Sequence, residues 1–100
     1  MSDYGLGYPE DYERREVDGE KDPDAIQDYK FVYILGSDTI LTSDFILDGV
    51  TEHSSYFDDT SATIFLSGGS AGTTATVTHE ITTNEGRTFN KSVRIRIRDL

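Results

Sequence analysis

The stretch Ser61–Leu100, SATIFLSGGSAGTTATVTHEITTNEGRTFNKSVRIRIRDL, decides the fold. Ala62, Ile64 and Leu66 fall on one phase of a period-two pattern, with Thr63 and Phe65 on the other. The run stops at Gly68-Gly69-Ser70-Ala71-Gly72, where glycines admit backbone angles that a Cβ would forbid. A longer alternation follows: Ala75, Val77, His79 and Ile81 share one phase, and Thr74, Thr76, Thr78, Glu80 and Thr82 the other. It turns at Asn84-Glu85-Gly86-Arg87 and returns through Phe89 to Val93, Ile95 and Ile97, with Arg94, Arg96 and Arg98 facing outward. Apolar residues on one side and polar on the other, at period two, predict an antiparallel sheet with one packed and one wet face. Thr73–Thr83 should therefore pair with Thr88–Arg98 as a hairpin, Gly86 taking a positive φ. Ile64, Leu66, Val77, Ile81, Val93, Ile95 and Ile97 should be buried, and Thr76, Thr78, Arg94 and Arg96 should not.

Upstream the same texture continues. Tyr29, Phe31, Tyr33 and Leu35 alternate with Lys30, Val32 and Ile34, and the run ends at Gly36-Ser37-Asp38. Thr39–Leu47 is a second β-rich run, stopped by the hairpin-type signal Asp48-Gly49. Val50–Phe57 is a weaker strand, and Asp58-Asp59-Thr60 a turn in which aspartate bonds its own backbone. Six or seven short strands with frequent turns predict an all-β, small antiparallel sandwich or barrel spanning residues 28–100. A domain of this size buries only about 60% of its unfolded surface, so its stability margin is thin.

Residues 1–27 read as an extended acidic N-terminal arm. Met1–Asp28 holds ten acidic and three basic residues, a net of −7, against nine and six, a net of −3, in Tyr29–Leu100. Its aliphatics are few, Leu6, Val17, Ala25 and Ile26, and Gly5, Gly7, Pro9, Gly19 and Pro23 interrupt it. Such a segment cannot offset its ordering entropy by burial alone. A short helix is expected over 9–17, since Pro9 suits the first helical position and Glu10 and Asp11 its positive end; a weaker helical turn falls near Asp22–Gln27. Tyr4, Tyr8 and Tyr12 recur every four residues, with Tyr29 at the domain entrance. Acidic tails are usually poor in aromatics, and tyrosine is enriched where proteins anchor to one another, so the arm is read as a docking element rather than a linker.

The overall charge of −10 disfavours nucleic acid as a partner. Without cysteine there is neither a disulfide framework nor a thiolate metal site. No apolar run approaches the roughly 20 residues of a membrane helix, and the N-terminus lacks a signal-peptide pattern, so a soluble protein folded in a cytoplasm and without a membrane partner is expected.

No constellation of catalytic residues emerges. Asp18, Glu20, Asp22 and Asp24 imitate the start of a calcium loop, but Pro23 stands where the loop wants glycine and Tyr29 where it wants glutamate. His53 and His79 lie on different strands, and His79, on the apolar phase, reads as a half-buried packing histidine. The glycine-rich run joins strand to strand and lacks the helix and lysine of a phosphate cradle. The expectation is a non-enzyme with no cofactor and no metal. Arg94, Arg96 and Arg98 form a basic stripe with two readings of equal weight: protection of a terminal strand against aggregation, or recognition of carboxylates on a partner or a neighbouring copy's arm.

Several motifs together resemble a family of small tailed-bacteriophage virion proteins, the fiber-tail adaptors. These are Asp22-Pro23-Asp24, Asp59-Thr60-Ser61-Ala62-Thr63, Leu66-Ser67-Gly68-Gly69, Ala71-Gly72-Thr73-Thr74, Thr76-Val77-Thr78, Ile81-Thr82-Thr83 and Gly86-Arg87-Thr88. The resemblance covers roughly Asp22–Leu100 and is most specific over Asp59–Thr88. It departs at the first strand, where family members commonly carry tryptophan and this chain has Phe31 and Tyr33. It implies an immunoglobulin-like domain, no catalytic residues, location in the virion after assembly in a bacterial host, and other virion proteins as partners, with several copies per particle. Tyr4, Tyr8, Tyr12, Arg94, Arg96 and Arg98 are the candidate partner-binding residues. A capsid decoration (cement) protein is the nearest alternative. A carbohydrate-binding module would need an exposed aromatic platform, for which Tyr56 with Phe57 or Phe65 is the one thin candidate.

Overall fold

The computed structural model of the protein describes residues 18–100. Seven strands follow one another: β1 Gly19–Lys21, β2 Gln27–Val32, β3 Ile40–Asp48, β4 Thr51–Phe57, β5 Ser61–Ser67, β6 Thr74–Thr83 and β7 Thr88–Ile97. They form two sheets packed face to face, one in the order β1-β7-β6-β3 and the other β2-β5-β4. The protein is an all-β, sandwich-like fold, as the alternation predicts.

The β6–β7 hairpin forms in the expected register, from Thr74 opposite Arg96 to Thr82 opposite Thr88. Gly86 takes a φ of 90° in the turn, where its amide donates to the Thr83 carbonyl at 3.0 Å. The alternation sorts side chains as read: Ile64, Leu66, Val77, Ile81, Ile95 and Ile97 are buried, while Arg94 and Arg96 are exposed. Three positions differ. Thr76 and Thr78 are half-buried, and so is Val93. β1 lies alongside β7 only from Ile95 to Ile97, so Val93 sits where that cover has stopped.

β1 is the main departure. It lies within the segment expected as arm and pairs parallel to β7, so the sandwich is antiparallel in every pairing but one. The helical turn expected near Asp22–Gln27 is a tight turn, closed by the Ala25 amide on the Asp22 carbonyl at 3.1 Å, leading into β2. The helix expected over 9–17 and Tyr4, Tyr8 and Tyr12 lie outside the described residues. Asp48-Gly49 does turn the chain, with Gly49 at a φ of 90°, but it passes β3 of one sheet to β4 of the other instead of closing a two-strand ladder.

Candidate docking surface

The stripe Arg94, Arg96, Arg98 lies along the outer side of the four-stranded sheet, and β1 runs beside it. Three acidic residues that imitate a calcium loop are spent on joining these two segments. The Asp18 amide donates to the Arg94 carbonyl at 2.7 Å, and the Arg94 amide donates back to Asp18 Oδ2 at 2.9 Å. Glu20 Oε2 accepts from Arg98 Nη1 at 2.9 Å. Asp22 accepts the Leu100 amide at 2.9 Å and the Asp24 amide at 2.8 Å; these two bonds hold its carboxyl below the ordinary carboxylate range. Among the described residues no group of three or more His, Cys, Asp or Glu is placed to hold a metal ion. Arg96 stands opposite Glu20 on one side and Thr74 on the other. With Gly72, Thr74, Ile97 and Arg98 it lines an open depression at this end of the sheet.

Lys21, which no local pattern singles out, anchors the join from within. Its side chain is fully buried, and Nζ donates to the carbonyls of Asp22 at 2.9 Å and Gly68 at 2.8 Å. Burial lowers its pKa while Asp22 and Asp24 oppose the shift. The glycine-rich run thus cradles a lysine belonging to its own fold. At Gly69, with φ 105°, an added Cβ would lie 3.0 Å from Ile97 Cδ1, so the loop must be bare where it crosses the core strand.

The Gly86-Arg87-Thr88 motif has an equally internal use. Arg87 Nε and Nη2 both reach Asp38 Oδ2 at 3.0 Å, and Nη2 also donates to the Leu35 carbonyl at 3.0 Å. Asp38 Oδ1 accepts the amides of Thr39 at 2.8 Å and Glu85 at 3.1 Å. Burial pushes the Asp38 carboxyl up, but hydrogen bonds from Thr83, Thr39, Arg87 and Glu85 outweigh it and bring the pKa to about 2. The pair fastens the β2–β3 connection to the tip of the β6–β7 hairpin. Asp58 performs a similar task, accepting the amides of Thr60 and Ser61 at 3.1 and 2.9 Å as the turn residue the sequence indicates.

His79 is fully buried, more than the half-buried role expected, because both ring nitrogens find hydroxyl partners across the core. Nδ1 lies 2.8 Å from the Tyr33 hydroxyl and Nε2 2.7 Å from Ser43 Oγ. Its ring stacks on Phe45 at a centroid distance of 4.4 Å and lies 5.1 Å from that of Phe31. Burial lowers its pKa to about 4, against a pull upward from Asp44 and with a smaller push down from Lys91. A serine bonded to a histidine is also the start of a nucleophile arrangement. Here tyrosine holds the second nitrogen and the ring is inaccessible, so the contact satisfies buried polar atoms.

Tyr56 and Phe57 do not make a platform. They are neighbours on one strand and point to opposite sides of it, Tyr56 opposite Thr63 and Phe57 opposite Ala62. Phe65 shares the outer side with Tyr56 but is only half exposed, opposite Ser54.

The motif residues therefore build turns and internal locks, and the exposed features include the arginine stripe, strand β4 and single apolar side chains such as Ile34, Leu41 and Ile46. No curated protein matches the chain. A family described as Podophage GP4 fiber-tail adaptor protein gp77 matches residues 21–96, from the buried Lys21 to the outward-facing Arg96. That span takes in the whole two-sheet sandwich apart from the start of β1 and the end of β7, and the chain belongs to this family of phage fiber-tail adaptors.

Proposed function

We propose that the protein is a non-enzymatic connector in a phage virion, present in several copies, that docks on neighbouring tail or fiber subunits through residues 1–17. The observation that carries this reading is the division of the chain. The family match starts at Lys21, and what precedes β1 is acidic, poor in aliphatics and regularly supplied with tyrosine at 4, 8 and 12. Each tyrosine ring buried against a partner contributes on the order of 1.5–3 kcal/mol, less the cost of ordering the arm. Arg94, Arg96 and Arg98 supply a second contact, to carboxylates, on the outer side of the sheet that β1 borders.

Deletion of residues 1–17 is the test, because a longer deletion would remove β1 and the Lys21 anchor. The truncated protein should fold and stay soluble but be absent from purified particles by quantitative mass spectrometry. Incorporation at normal copy number would reduce the arm to a spacer and end the docking reading. The copy number also separates an adaptor at the tail from a decoration protein spread over the capsid, which would be far more abundant.

A further inference from the structure

Among the described residues four strands lie at the edges of the two sheets, and two of them, β1 and β2, are guarded. On β2, Lys91 Nζ donates to the Val32 carbonyl at 2.6 Å and lies 4.5 Å from the centre of the Tyr33 ring. β1 is three residues long and clipped by carboxylates to β7. β3 shifts register near Leu41 and its Ile40 amide is taken by the Asp59 carbonyl at 2.9 Å, which covers its start and leaves Thr42–Asp48 regular, with about half of its residues partly covered. Short strands, edge lysines and bulges are the usual means of preventing unwanted pairing.

β4, Thr51–Phe57, lacks most of these. All seven of its residues are exposed, it contains neither lysine nor proline, and its bulge, between Glu52 and Ser54, leaves Ser54–Phe57 regular. The Asp58 amide bonds the Ser61 carbonyl at 2.9 Å, so by antiparallel alternation Tyr56 and Ser54 bond to β5, and the amides and carbonyls of Ser55 and Phe57 point outward. Two large side chains flank this row, Tyr56 at 61% exposure and Phe57 at 45%.

The charge around it is mostly acidic, although Lys30 of β2 stands across Thr63 from Tyr56 and, after the hydrogen bonds from Thr60 and Ser61, helps lower the Asp58 pKa. Lys30 and Arg87 bracket a stretch with no lysine or arginine at all, and that stretch includes all of β3 and β4. It supplies Asp44 and Asp48 on β3, Glu52 on β4, and Asp58 and Asp59 in the turn that follows. A second copy of this acidic chain, or its own acidic arm, is a poor electrostatic match for this side.

We propose that β4 accepts an added strand from a partner protein, an extended segment in which apolar residues alternate with lysine or arginine. Main-chain bonds to Ser55 and Phe57 would supply the register, and side chains beside Tyr56 and Phe57, with cations toward the acidic rim, the selectivity. The inference goes beyond docking by the arm and the arginine stripe: it gives the adaptor a further contact, on the side of the sandwich away from β1.

The test uses the full chain, labelled with nitrogen-15, and ten-residue peptides in which valine alternates with lysine or with glutamate. The valine–lysine peptide at millimolar concentration should shift the Ser55 and Phe57 amide signals and slow their exchange about tenfold, weakening with salt; the glutamate peptide should not. Ser55→Pro removes an outward amide without touching the β5 ladder and should abolish the effect while the remaining spectrum stays native. Ser55→Lys, which guards the edge without constraining the backbone, should weaken it. Unchanged β4 amides with the lysine peptide, equal response to the glutamate peptide, or binding that survives Ser55→Pro would each overturn the proposal. So would protection that rises with protein concentration alone, since β4 would then pair with itself. All these outcomes are read on the isolated protein and leave the arm-deletion result untouched.

Discussion

His79 is held neutral in the core between the hydroxyls of Tyr33 and Ser43, and this gives folding a pH dependence of definite sign. Its folded pKa is about 4 against an ordinary 6.5, so above pH 6.5 the ring is neutral in both states and full stability is present. As pH falls from 6.5 toward 4, the unfolded chain takes up a proton that the folded one refuses, and stability declines. Asp38, brought to about 2 from 3.8, adds a further loss in the same direction at lower pH. The thermal midpoint should therefore drop between pH 6.5 and 4, and His79→Gln, neutral throughout, should flatten that drop. A midpoint equally steep in the variant would show that some other group controls it. At the hairpin tip, Gly86 has open space around it but a φ of 90°, so strain and not crowding is the cost of a side chain there. Gly86→Val should destabilise by roughly 1 kcal/mol or more in denaturant titration. Both residues show what local pattern reveals: that Gly86 turns and that His79 faces inward are readable in the sequence. The hydroxyls awaiting His79, 46 and 36 residues away, are not.

Among the elements, β5, β6 and β7 are legible because their apolar residues alternate without interruption between recognisable turns. β1 is not, for a physical reason. Gly19-Glu20-Lys21 has no apolar residue to mark an inner face, and what seats it is a parallel partner 76 positions away together with a lysine that buries its own charge. A segment of this kind reads as acidic linker until its partner strand is known. The alternate acids there were visible as a pattern, but their use, as acceptors for Arg94 and Leu100 amides and for Arg98, depends on that same long-range pairing. A deletion pair isolates the element. Removing residues 1–17 should leave the thermal midpoint unchanged, whereas removing residues 1–22 should lower it by several degrees, exposing Ile97 and leaving the Gly68 carbonyl without its lysine. Equal midpoints would mean that β1 contributes nothing to the sandwich. In β5, Ile64→Ala or Leu66→Ala empties a fully buried site and should cost about 2–5 kcal/mol by calorimetry or denaturant titration.

For the whole molecule, the distribution of cations organises the surface. Within the described residues they occur on β1, β2, the hairpin tip and β7 with its continuation, while β3 and β4 carry none. The excess of acid was plain from composition; that cations offset it beside β1 and β2 and leave it uncompensated on β3 and β4 follows only from a strand order that brings β3 and β4 together at one side and β1 and β2 at the other. An adaptor with differently charged sides can meet two different neighbours without confusing them, since a like-charged approach is penalised before close contact forms. Arg96 is where this can be tried with least disturbance to the fold, since Arg98 is tied to Glu20 and the Arg94 backbone to Asp18. Arg96 is exposed, its neighbours in register are Glu20 and Thr74, and the Asp38–Arg87 lock lies at the far end of β7. Arg96→Glu should keep the thermal midpoint within a few degrees, because exposed charges on a sheet face contribute little to stability. Its effect should instead appear in assembly, as a drop in copies per particle that deepens with a second change, Arg98→Ala, and that high salt during assembly imitates in the wild type. β7 lies between β1 and β6 and is not an edge, so the reading of the stripe as protection of a terminal strand falls away, and normal incorporation of the double variant would leave partner contact to the arm and to β4.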